Sequence, residues 1–322
     1  MYDINCISCD STHGMKILLR LKPKLHRQQS ERTLKRSRGA RLLSWAFLTP
    51  SIIGVLLFFI LPFFVVLYYS VVNNPVQHRF VGFENYVRVF KNSAFQQAAQ
   101  NTLGFSVIAV PLAVVLSLVL AVVMESKIPF KSKFRTFFLS PMMVPIASVV
   151  LIWQVLFHFN GLVNQLTAIF GSDRIDWMKS DKAAIVIVLL FLWKNLGYNM
   201  ILFMASLSSV PQDLIEVATM EGASARQIFF HIKLRFLSPT ILFVTIMSLI
   251  SSFKVFREIY LMTGSYPYDT LYMLQHFMNN TFQSLDYQKL SAAAVIMCIA
   301  MILIIGVLFI TEDRFGRDIE EA

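Results

Sequence analysis

Long apolar runs separated by shorter polar stretches dominate the pattern of this sequence. Six of the runs reach the roughly 20 mostly apolar residues that an α-helix needs to cross the hydrocarbon core of a bilayer. The pattern therefore predicts an all-α integral membrane protein with about six transmembrane helices. The runs cover residues 43–72, 102–124, 134–157, 183–207, 239–262 and 290–311.

Prolines interrupt two of these runs. Pro62 lies within the first run, and Pro141 and Pro145 lie within the third. A proline inside a helix removes one backbone donor and clashes with the preceding turn, so the chain has to compensate locally. We therefore expect both helices to be bent and to pack against neighbouring helices.

The composition agrees with a membrane protein, because 56% of the residues are hydrophobic and only 15% are charged. The formal net charge of +10 would also suit a nucleic-acid partner. However, ten of the 29 lysines and arginines lie between Lys16 and Arg41, directly before the first apolar run. Such a cluster is typical of the cytoplasmic side of a first transmembrane helix. We therefore expect membrane lipid around the chain and no nucleic-acid partner.

The charges of the loops predict the orientation of the helices. With six crossings and the amino end inside, the cytoplasmic segments carry 19 of the 29 lysines and arginines, and the outer loops carry seven. Because cytoplasmic loops are enriched in these residues, we expect both termini to be cytoplasmic. The expected organisation is a basic cytoplasmic tail at 1–42, a transmembrane domain at 43–311 with a polar cytoplasmic loop at 208–238, and a cytoplasmic tail at 312–322.

The amino-terminal tail carries a lone C-x-x-C pair, Cys6 and Cys9, with His13 nearby. A structural zinc site needs four ligands, and the sequence has no second pair, so we expect no metal site. The first apolar run is longer than the roughly 7 to 15 residues of a signal-peptide core. We therefore expect the first helix to remain in the mature protein, with Met15 as an alternative start.

The loop at 208–238 is too polar to span a membrane, yet its residues favour helix. Ser209 followed three residues later by Gln212 fits a capping box, with Pro211 in the first turn, where its missing N–H costs nothing. Good helix formers then continue as far as Gly222. Glycine is common just past the end of a helix because it tolerates a left-handed backbone. This half of the loop predicts a short helix followed by a glycine turn.

A second short helix is expected directly after this turn. Ser224 and Gln227 repeat the capping-box spacing, and Ile228, Phe229 and Ile232 share one apolar helix face. An amphipathic helix in a cytoplasmic loop can lie on lipid, pack on its own helix bundle or contact another protein. The residues alone leave these three alternatives open.

The segment "VPQDLIEVATMEGASARQIFFHIKL" resembles the EAA loop of permease subunits in bacterial ABC importers. The family pattern is E-A-A, three residues, a glycine and, further on, I-x-L-P. Two positions depart from it: valine replaces the first alanine, and Arg235 stands where the family has proline, while a proline is kept downstream as Pro239. The matching positions are Glu216, Val217, Ala218, Gly222, Ile232 and Leu234.

The resemblance extends over most of the chain. The segments "GFENYVRVF", "QNTLGFSV", "SPMMVPIASVVLIWQVLF", "NGLVNQL" and "LWKNLGYNMILFMASLSSVP" are similar to the carbohydrate-importing branch of the family, which includes the maltose-transporter permease. The segment "SFKVFREIYLMTGSYP" is less similar, because the glycine-rich GGGP of the family reads GSYP at 264–267. The resemblance implies a multi-pass protein of the bacterial inner membrane.

The resemblance also implies a set of partners. The sequence has no G-x-x-x-x-G-K-[ST] phosphate loop, so this chain is expected to be no enzyme and to hold no cofactor, while ATP and Mg²⁺ bind to a separate ATPase. The implied complex contains a second homologous permease, two ATPase subunits and an extracytoplasmic solute-binding protein. The residues implied to couple this chain to the ATPase are Glu216, Ala218, Gly222, Arg226, Ile228, Phe229 and Ile232.

Charged residues within the apolar runs predict the substrate path, because ionisable groups at membrane depth rarely face lipid. Lys254 and Glu258 are four residues apart on one predicted helix, a spacing at which the two can pair. That pairing leaves Lys194 and Arg257 as cations without a partner. A lysine near a helix end can instead extend to the membrane interface.

The surroundings of Lys194 favour a sugar as the substrate. Asn195, Tyr198 and Asn199 lie close to it in the sequence, and amide, hydroxyl and ring groups together suit sugar hydroxyls and C–H faces. An excess of cations further suits a sugar that carries carboxylates, such as a uronate oligosaccharide or an alginate fragment. The expected path consists of Lys194, Asn195, Tyr198, Asn199, Lys254, Arg257 and Glu258.

Several alternatives stay open. The substrate of the permease could be a neutral sugar or glycerol phosphate, and this chain could complete the pore while its partner permease holds the binding site. A secondary transporter would show inverted repeats, which the sequence lacks. An integral-membrane enzyme would need catalytic residues, yet the six histidines form no H-E-x-x-H, and no G-x-S-x-G occurs. We therefore expect no catalytic residues.

Overall fold

The computed structural model of the chain describes residues 43–74, 76–125, 130–171 and 173–320, with side chains up to Asp313. The basic tail at 1–42, including Cys6, Cys9 and His13, lies outside the described residues. Contacts divide the chain into two units, Met1–Val65 and Val66–Ala322.

Helix α1 (Leu43–Ser70) supplies the described part of the first unit and continues into the second. Most of its side chains up to Val65 are apolar and exposed, as expected for a helix in lipid. A π-helical turn at Leu56–Ile60 directly precedes Pro62. The π turn shifts the hydrogen-bond pattern where the proline lacks a donor, so the helix adjusts at Pro62 without a break.

The second unit consists of helices joined by short loops. Among its described residues the only β-type pairing is an isolated antiparallel bridge between Val72 and Phe80. The helices are α2 (Glu84–Phe90), α3 (Ser93–Glu125), α4 (Lys131–Met143), α5 (Ile146–Leu156), α6 (Leu162–Ile169), α7 (Ala183–Ser208), α8 (Gln212–Met220), α9 (Ala225–Gln227, the π-helical Ile228–Lys233 and Leu234–Phe236), α10 (Ser238–Phe253), α11 (Phe256–Thr263), α12 (Leu274–Gln283) and α13 (Tyr287–Glu320).

Helices α3 and α7 form the centre of the second unit. Ala109 and Ala113 of α3 are fully buried against Ile187 and Phe191 of α7. Small residues let helix backbones approach closely, which is how helices associate where lipid supplies no hydrophobic driving force. Helix α10 joins this centre, and a hydrogen bond of 2.8 Å between the hydroxyl groups of Ser106 and Ser252 connects α3 to α10.

The third apolar run is broken as well as bent. Helices α4 and α5 meet at an angle of 100°. Val144 between them has an extended backbone, and Pro145 caps α5. Proline disfavours a helical conformation at the residue before it, which explains why the break lies at Val144. The predicted bend is confirmed.

The fifth apolar run contains a two-residue turn where the sequence predicts one continuous helix, although Ser238–Thr263 as a whole is long and apolar enough to be one span. Helix α10 begins with Pro239 in its first turn and ends at Phe253. Lys254 and Val255 form a turn before α11. No proline or glycine marks this turn in the sequence.

The spans agree with an all-α membrane protein. Five helical segments of the described chain are long and apolar enough to cross a membrane, and the bent pair α4 and α5 supplies a sixth. The prediction of about six transmembrane helices is therefore confirmed. One boundary differs clearly: α3 begins at Ser93, well before the apolar run at 102–124. Its first turns are helical because Phe95 and Ala98 pack into the core.

Candidate functional site

A cavity of about 690 Å³ lies where α7 passes the two helix breaks. The break between α4 and α5 forms one wall, the break between α10 and α11 forms another, and the middle of α7 lies between them. The lining residues are Pro141, Met142, Val144, Ile146, Leu190, Phe191, Lys194, Asn195, Tyr198, Met247, Ser251, Lys254, Val255, Arg257 and Glu258.

The acidic group of this cavity is paired with Lys194. The ammonium of Lys194 donates to Oε1 of Glu258, and both side chains are largely buried, with exposed fractions of 24% and 8%. The predicted pair of Lys254 with Glu258 is wrong. Helix α10 ends before Lys254, so the four-residue spacing no longer puts the two residues on one helix face. The prediction that Lys194 lacks a partner is wrong for the same reason.

Lys254 and Arg257 are the two cations of the cavity for which the described residues supply no ion pair. Both side chains are exposed, and neither makes an ion pair within the described part of the chain. Glu258 attracts these two cations only weakly, because Lys194 already neutralises its charge. The cavity therefore carries three cationic groups and one carboxylate, and the excess positive charge lies at the break between α10 and α11.

Two of the three polar neighbours of Lys194 line the cavity. Asn195 and Tyr198 do so, and the amide of Asn195 donates to the backbone oxygen of Phe191 at 2.7 Å. Asn199 is buried elsewhere, where its amide donates to the hydroxyl of Ser248 at 2.9 Å. The structure thus gives Asn199 a place between α7 and α10, not on the expected path.

Sequence reasoning missed the wall that α10 supplies. Met247 and Ser251 of α10 line the cavity, and their spacing of four residues places them on one helix face. The signal was therefore present in the sequence. The missing information was which face of α10 turns toward α7, and only tertiary packing sets that.

The loop between α7 and α10 contains two short helices around a glycine turn. Gly222 follows α8 with φ of 84°, a left-handed conformation that suits glycine. The capping box at the start of α9 is formed, because the side-chain oxygen of Gln227 accepts from the backbone N–H of Ser224 at 2.8 Å, and the hydroxyl of Ser224 accepts from the backbone N–H of Gln227 at 3.4 Å. The predicted glycine turn at Gly222 and the predicted capping box of Ser224 and Gln227 are confirmed.

The capping box predicted at Ser209 is wrong. The hydroxyl of Ser209 instead donates to the backbone oxygen of Ser206 at 2.8 Å and so completes the end of α7. Pro211 has an extended backbone and directly precedes α8, which begins at Gln212 without a side-chain cap. A serine can bond to a carbonyl in the turn before it or to an N–H in the turn after it, and here the preceding helix takes it.

Helix α9 is attached to the helix bundle. Ile232 packs against the main core, and the ammonium of Lys233 pairs with the carboxylate of Glu125 at the end of α3 at 2.7 Å. Ile228 and Phe229 are half-buried, and Arg226 is exposed. The apolar face expected to contact another protein therefore contacts the bundle at least through Ile232.

Helix α8 carries an exposed apolar stripe that sequence reasoning missed. Leu214, Val217 and Met220 have exposed fractions of 45%, 54% and 88%. Their spacing of three residues keeps them on neighbouring turns. Glu216 beside the stripe is exposed, and Ala218 is half-buried. We name Leu214, Val217 and Met220 the α8 stripe. Nothing in the structure explains Arg235, which is exposed near the end of α9.

The family described as binding-protein-dependent transport system inner membrane component matches residues 109–321. The chain belongs to this family. It is a permease, a transport component of an ABC system and not an enzyme. The loop that resembles an EAA loop therefore lies in a chain of the family in which such loops are expected.

Relatives of the permease cover most of its length. The trehalose/maltose transport system permease protein MalF of Thermococcus litoralis is 29% identical over 86% of this chain and 95% of the relative. The sulfoquinovosyl glycerol transport system permease protein SmoG of Agrobacterium fabrum is 30% identical over 80% of this chain and 86% of the relative. The sn-glycerol-3-phosphate transport system permease protein UgpA of Pectobacterium atrosepticum is 29% identical over 85% of this chain and 93% of the relative.

A solved structure has the same fold as the permease. A chain of a bacterial ABC transporter involved in the import of the acidic polysaccharide alginate superposes with a TM-score of 0.77 at 22% identity, covering 87% of the permease and 98% of that chain. Both helix breaks therefore belong to a chain whose fold is that of an ABC permease.

Proposed function

We propose that this permease imports an acidic oligosaccharide, of the uronate type, across the bacterial inner membrane. The observation that carries the proposal is the excess charge of the cavity at the two helix breaks. Its carboxylate, Glu258, is neutralised by Lys194, which leaves Lys254 and Arg257 for an anionic ligand. Charge-assisted hydrogen bonds from such cations to carboxylates are about twice as strong as neutral ones.

The other lining residues suit the remainder of a sugar. Asn195, Tyr198 and Ser251 offer amide and hydroxyl groups for sugar hydroxyls. Pro141 and Met247 offer apolar surface for C–H faces. The cavity thus combines apolar walls with polar groups that can fix the orientation of a ligand, as small-molecule sites do.

Family membership by itself does not choose the substrate. The relatives carry the names of trehalose and maltose, of sulfoquinovosyl glycerol and of sn-glycerol-3-phosphate. These names support a sugar or a related polyol as the class. The acidic character rests on Lys254 and Arg257 alone, so those two residues are where the proposal has to be tested.

The ion pair of Lys194 and Glu258 keeps the cavity favourable for an anion. Without Lys194, the carboxylate of Glu258 would repel an incoming carboxylate and would itself be buried without a partner. The second oxygen of Glu258 is already buried without a hydrogen bond from any described residue. We therefore infer a positioning role for Lys194 and direct contact with substrate for Lys254 and Arg257.

The α8 stripe is the part of the permease that we propose to contact a separate ATPase. Its exposed apolar side chains fit a hydrophobic cleft on a partner, Glu216 and Arg226 add exposed charges, and Gly222 provides the turn. Helix α9 would transmit the movement, since Ile232 and Lys233 connect it to the bundle. The complete importer would contain two ATPases, a second permease and an extracytoplasmic solute-binding protein.

The test of the substrate class uses the permease purified with the proteins encoded beside its gene and reconstituted in nanodiscs. Binding and uptake of an alginate trisaccharide and of neutral maltotriose are compared for the wild type and for Lys254→Gln with Arg257→Gln. We expect the double variant to lose about tenfold or more in affinity for the uronate, because each charged contact is worth roughly 1.5–3 kcal/mol. Maltotriose binding should change little.

The matched control is Arg79→Gln, which removes an exposed arginine that does not line the cavity. It should leave both sugars unaffected. If the double variant weakens both sugars equally, or neither, the two cations do not select an acid, and a neutral sugar becomes the better candidate.

A further inference from the structure

A second cavity, of about 660 Å³, lies at the predicted cytoplasmic end of the bundle. It is formed by the first turns of α4, the last turns of α7 and the end of α3. Two cations, Lys131 and Arg135, line it together with one acid, Glu125. The remaining lining residues are Ile201, Met204, Ala205, Leu207, Ser208 and Gln212.

The two cations of this cavity make no ion pair with an acidic residue that the structure describes. Glu125 pairs with Lys233 at 2.7 Å, and no described carboxylate pairs with Lys131 or Arg135. Both side chains are exposed. The cavity is therefore positive after its one acid has been neutralised. The same holds for the first cavity, where Lys194 pairs with Glu258 and which we call the substrate cavity in line with the proposed function.

The same two helices line both cavities. In α4, Lys131 and Arg135 line the second cavity and Met142 lines the substrate cavity, and the spacing of these residues keeps them near one helix face. In α7, Tyr198 lines the substrate cavity and Ile201 lines the second, again one turn apart. One face of each helix therefore passes from the first cavity to the second.

Helices α4 and α7 touch backbone to backbone at Gly197 and Phe138. A Cβ atom at Gly197 would lie 1.8 Å from the backbone oxygen of Phe138, a distance that no atom can occupy. Phe138 lies between Arg135 and Pro141 along α4. Along α4, this crossing lies between the residues that line the two cavities, and the absent side chain at Gly197 is what lets the helices come this close.

We propose that Lys131 and Arg135 form a second anion subsite, which takes the carboxylates of the substrate as they leave Lys254 and Arg257 for the cytoplasm. This inference rests on the proposed acidic substrate. A carboxylate that moves along the shared face of α4 and α7 leaves the charges of Lys254 and Arg257 behind. Lys131 and Arg135 provide new positive charges for it at the cytoplasmic end. The alternative occupant of the subsite is the phosphate of a lipid head group, and the experiment separates the two.

The experiment reports from inside the second cavity. Ser208, which lines it, is replaced by cysteine in the complete importer after Cys6, Cys9 and Cys298 have been changed to serine. In nanodiscs of phosphatidylcholine, modification of Ser208→Cys by a methanethiosulfonate that carries a sulfonate is compared with modification by the neutral methyl reagent. We expect the anionic reagent to react about tenfold faster relative to the neutral one than it does with a free thiol, because a positive cavity concentrates anions.

An alginate trisaccharide should slow this reaction, and maltotriose should not. Lys131→Gln with Arg135→Gln should abolish both the preference for the anionic reagent and the protection. Lys133→Gln is the matched control, because Lys133 lies between them in the sequence, does not line the cavity and stacks over Phe130 at 4.9 Å. It should preserve both effects.

Two outcomes overturn the inference. Equal protection by both sugars, or protection by neither, would remove the anion subsite even if Lys254 and Arg257 prove to select uronates. Protection that appears only when phosphatidylglycerol is added to the nanodiscs, without sugar, would assign the cavity to a lipid head group. Failure of the proposed function is visible separately, in the binding of the two sugars by the Lys254→Gln and Arg257→Gln variant.

Discussion

The centre of the bundle and the loop between α7 and α10 use apolar side chains in opposite ways. In the centre, Ala109, Ala113 and Ile187 are completely buried, so their contribution is to stability. In α8, Val217 and Met220 are more than half exposed, so they stabilise this chain little. We therefore expect substitutions in the centre to lower the stability of the fold, and substitutions in the α8 stripe to lower the affinity for a partner protein.

The largest effect is expected at Gly197 in the centre. Gly197→Ala would put a Cβ atom 1.8 Å from the backbone oxygen of Phe138 and so force α4 and α7 apart. We expect a loss on the order of 4 kcal/mol of stability, seen as aggregation or a lowered Tm in detergent. Gly104→Ala is the control, since a Cβ atom there meets nothing within 4 Å. Equal behaviour of the two variants would contradict the close crossing.

The next effect concerns the buried ion pair. Lys194→Met would leave Glu258 buried without its partner, at a cost of about 3 kcal/mol. Adding Glu258→Leu should restore most of the stability, because apolar replacement of both partners removes the unpaired charge. Thermal unfolding of the two single variants and the double variant measures the coupling. Additive losses would mean that the two groups do not interact.

In the loop the expected effect is on binding and not on folding. Val217→Ser with Met220→Ser should change the Tm little, since exposed substitutions away from special features stay within about 0.5 kcal/mol. Affinity for the ATPase should fall at least about tenfold, as expected for apolar contacts at the core of an interface. Quantitative co-purification measures this. Phe170→Ser, an exposed apolar residue outside the loop, should retain the ATPase, and retention by the α8 variant would refute the docking role.

The smallest effect is a pH dependence outside the membrane spans. Burial lowers the pKa of His276 to about 4 from its usual 6.5, and its ring lies edge to face against Phe256. Because the folded-state pKa lies below the unfolded one, the contribution of neutral His276 is complete above pH 6.5 and is lost as the pH falls toward 4. The Tm should therefore drop between pH 7 and 5.5, and His276→Phe should reduce the drop. An unchanged slope would mean that other groups cause it.

Most of the fold could be predicted from the sequence, because hydrophobic length and turn chemistry are local. The apolar runs located the spans, Gly222 located the turn, and the spacing of Ser224 and Gln227 located a real cap. The break at Lys254 could not be predicted, since no proline or glycine marks it. The error in pairing Lys254 with Glu258 followed directly from that break.

The candidate site was predicted only in part for a similar reason. The charged residues pointed to the cavity, and Lys194, Lys254, Arg257 and Glu258 all line it. Which cation pairs with the acid depends on how α7 and α11 face each other, and no sequence spacing encodes that. Asn199 shows the same limit, because its amide bonds to Ser248 on another helix.

The break between α4 and α5 brings backbone carbonyl groups, and not only side chains, to the wall of a cavity. The last four carbonyl groups of any helix have no donor within that helix, and the end of α4 at Pro141 and Met142 lines the cavity that contains Lys194 and Glu258. Sugar hydroxyls can donate to such oxygens whatever side chains surround them. Replacement of the cations would thus alter which sugar is preferred, while the main chain itself would keep a general affinity for polyhydroxylated compounds.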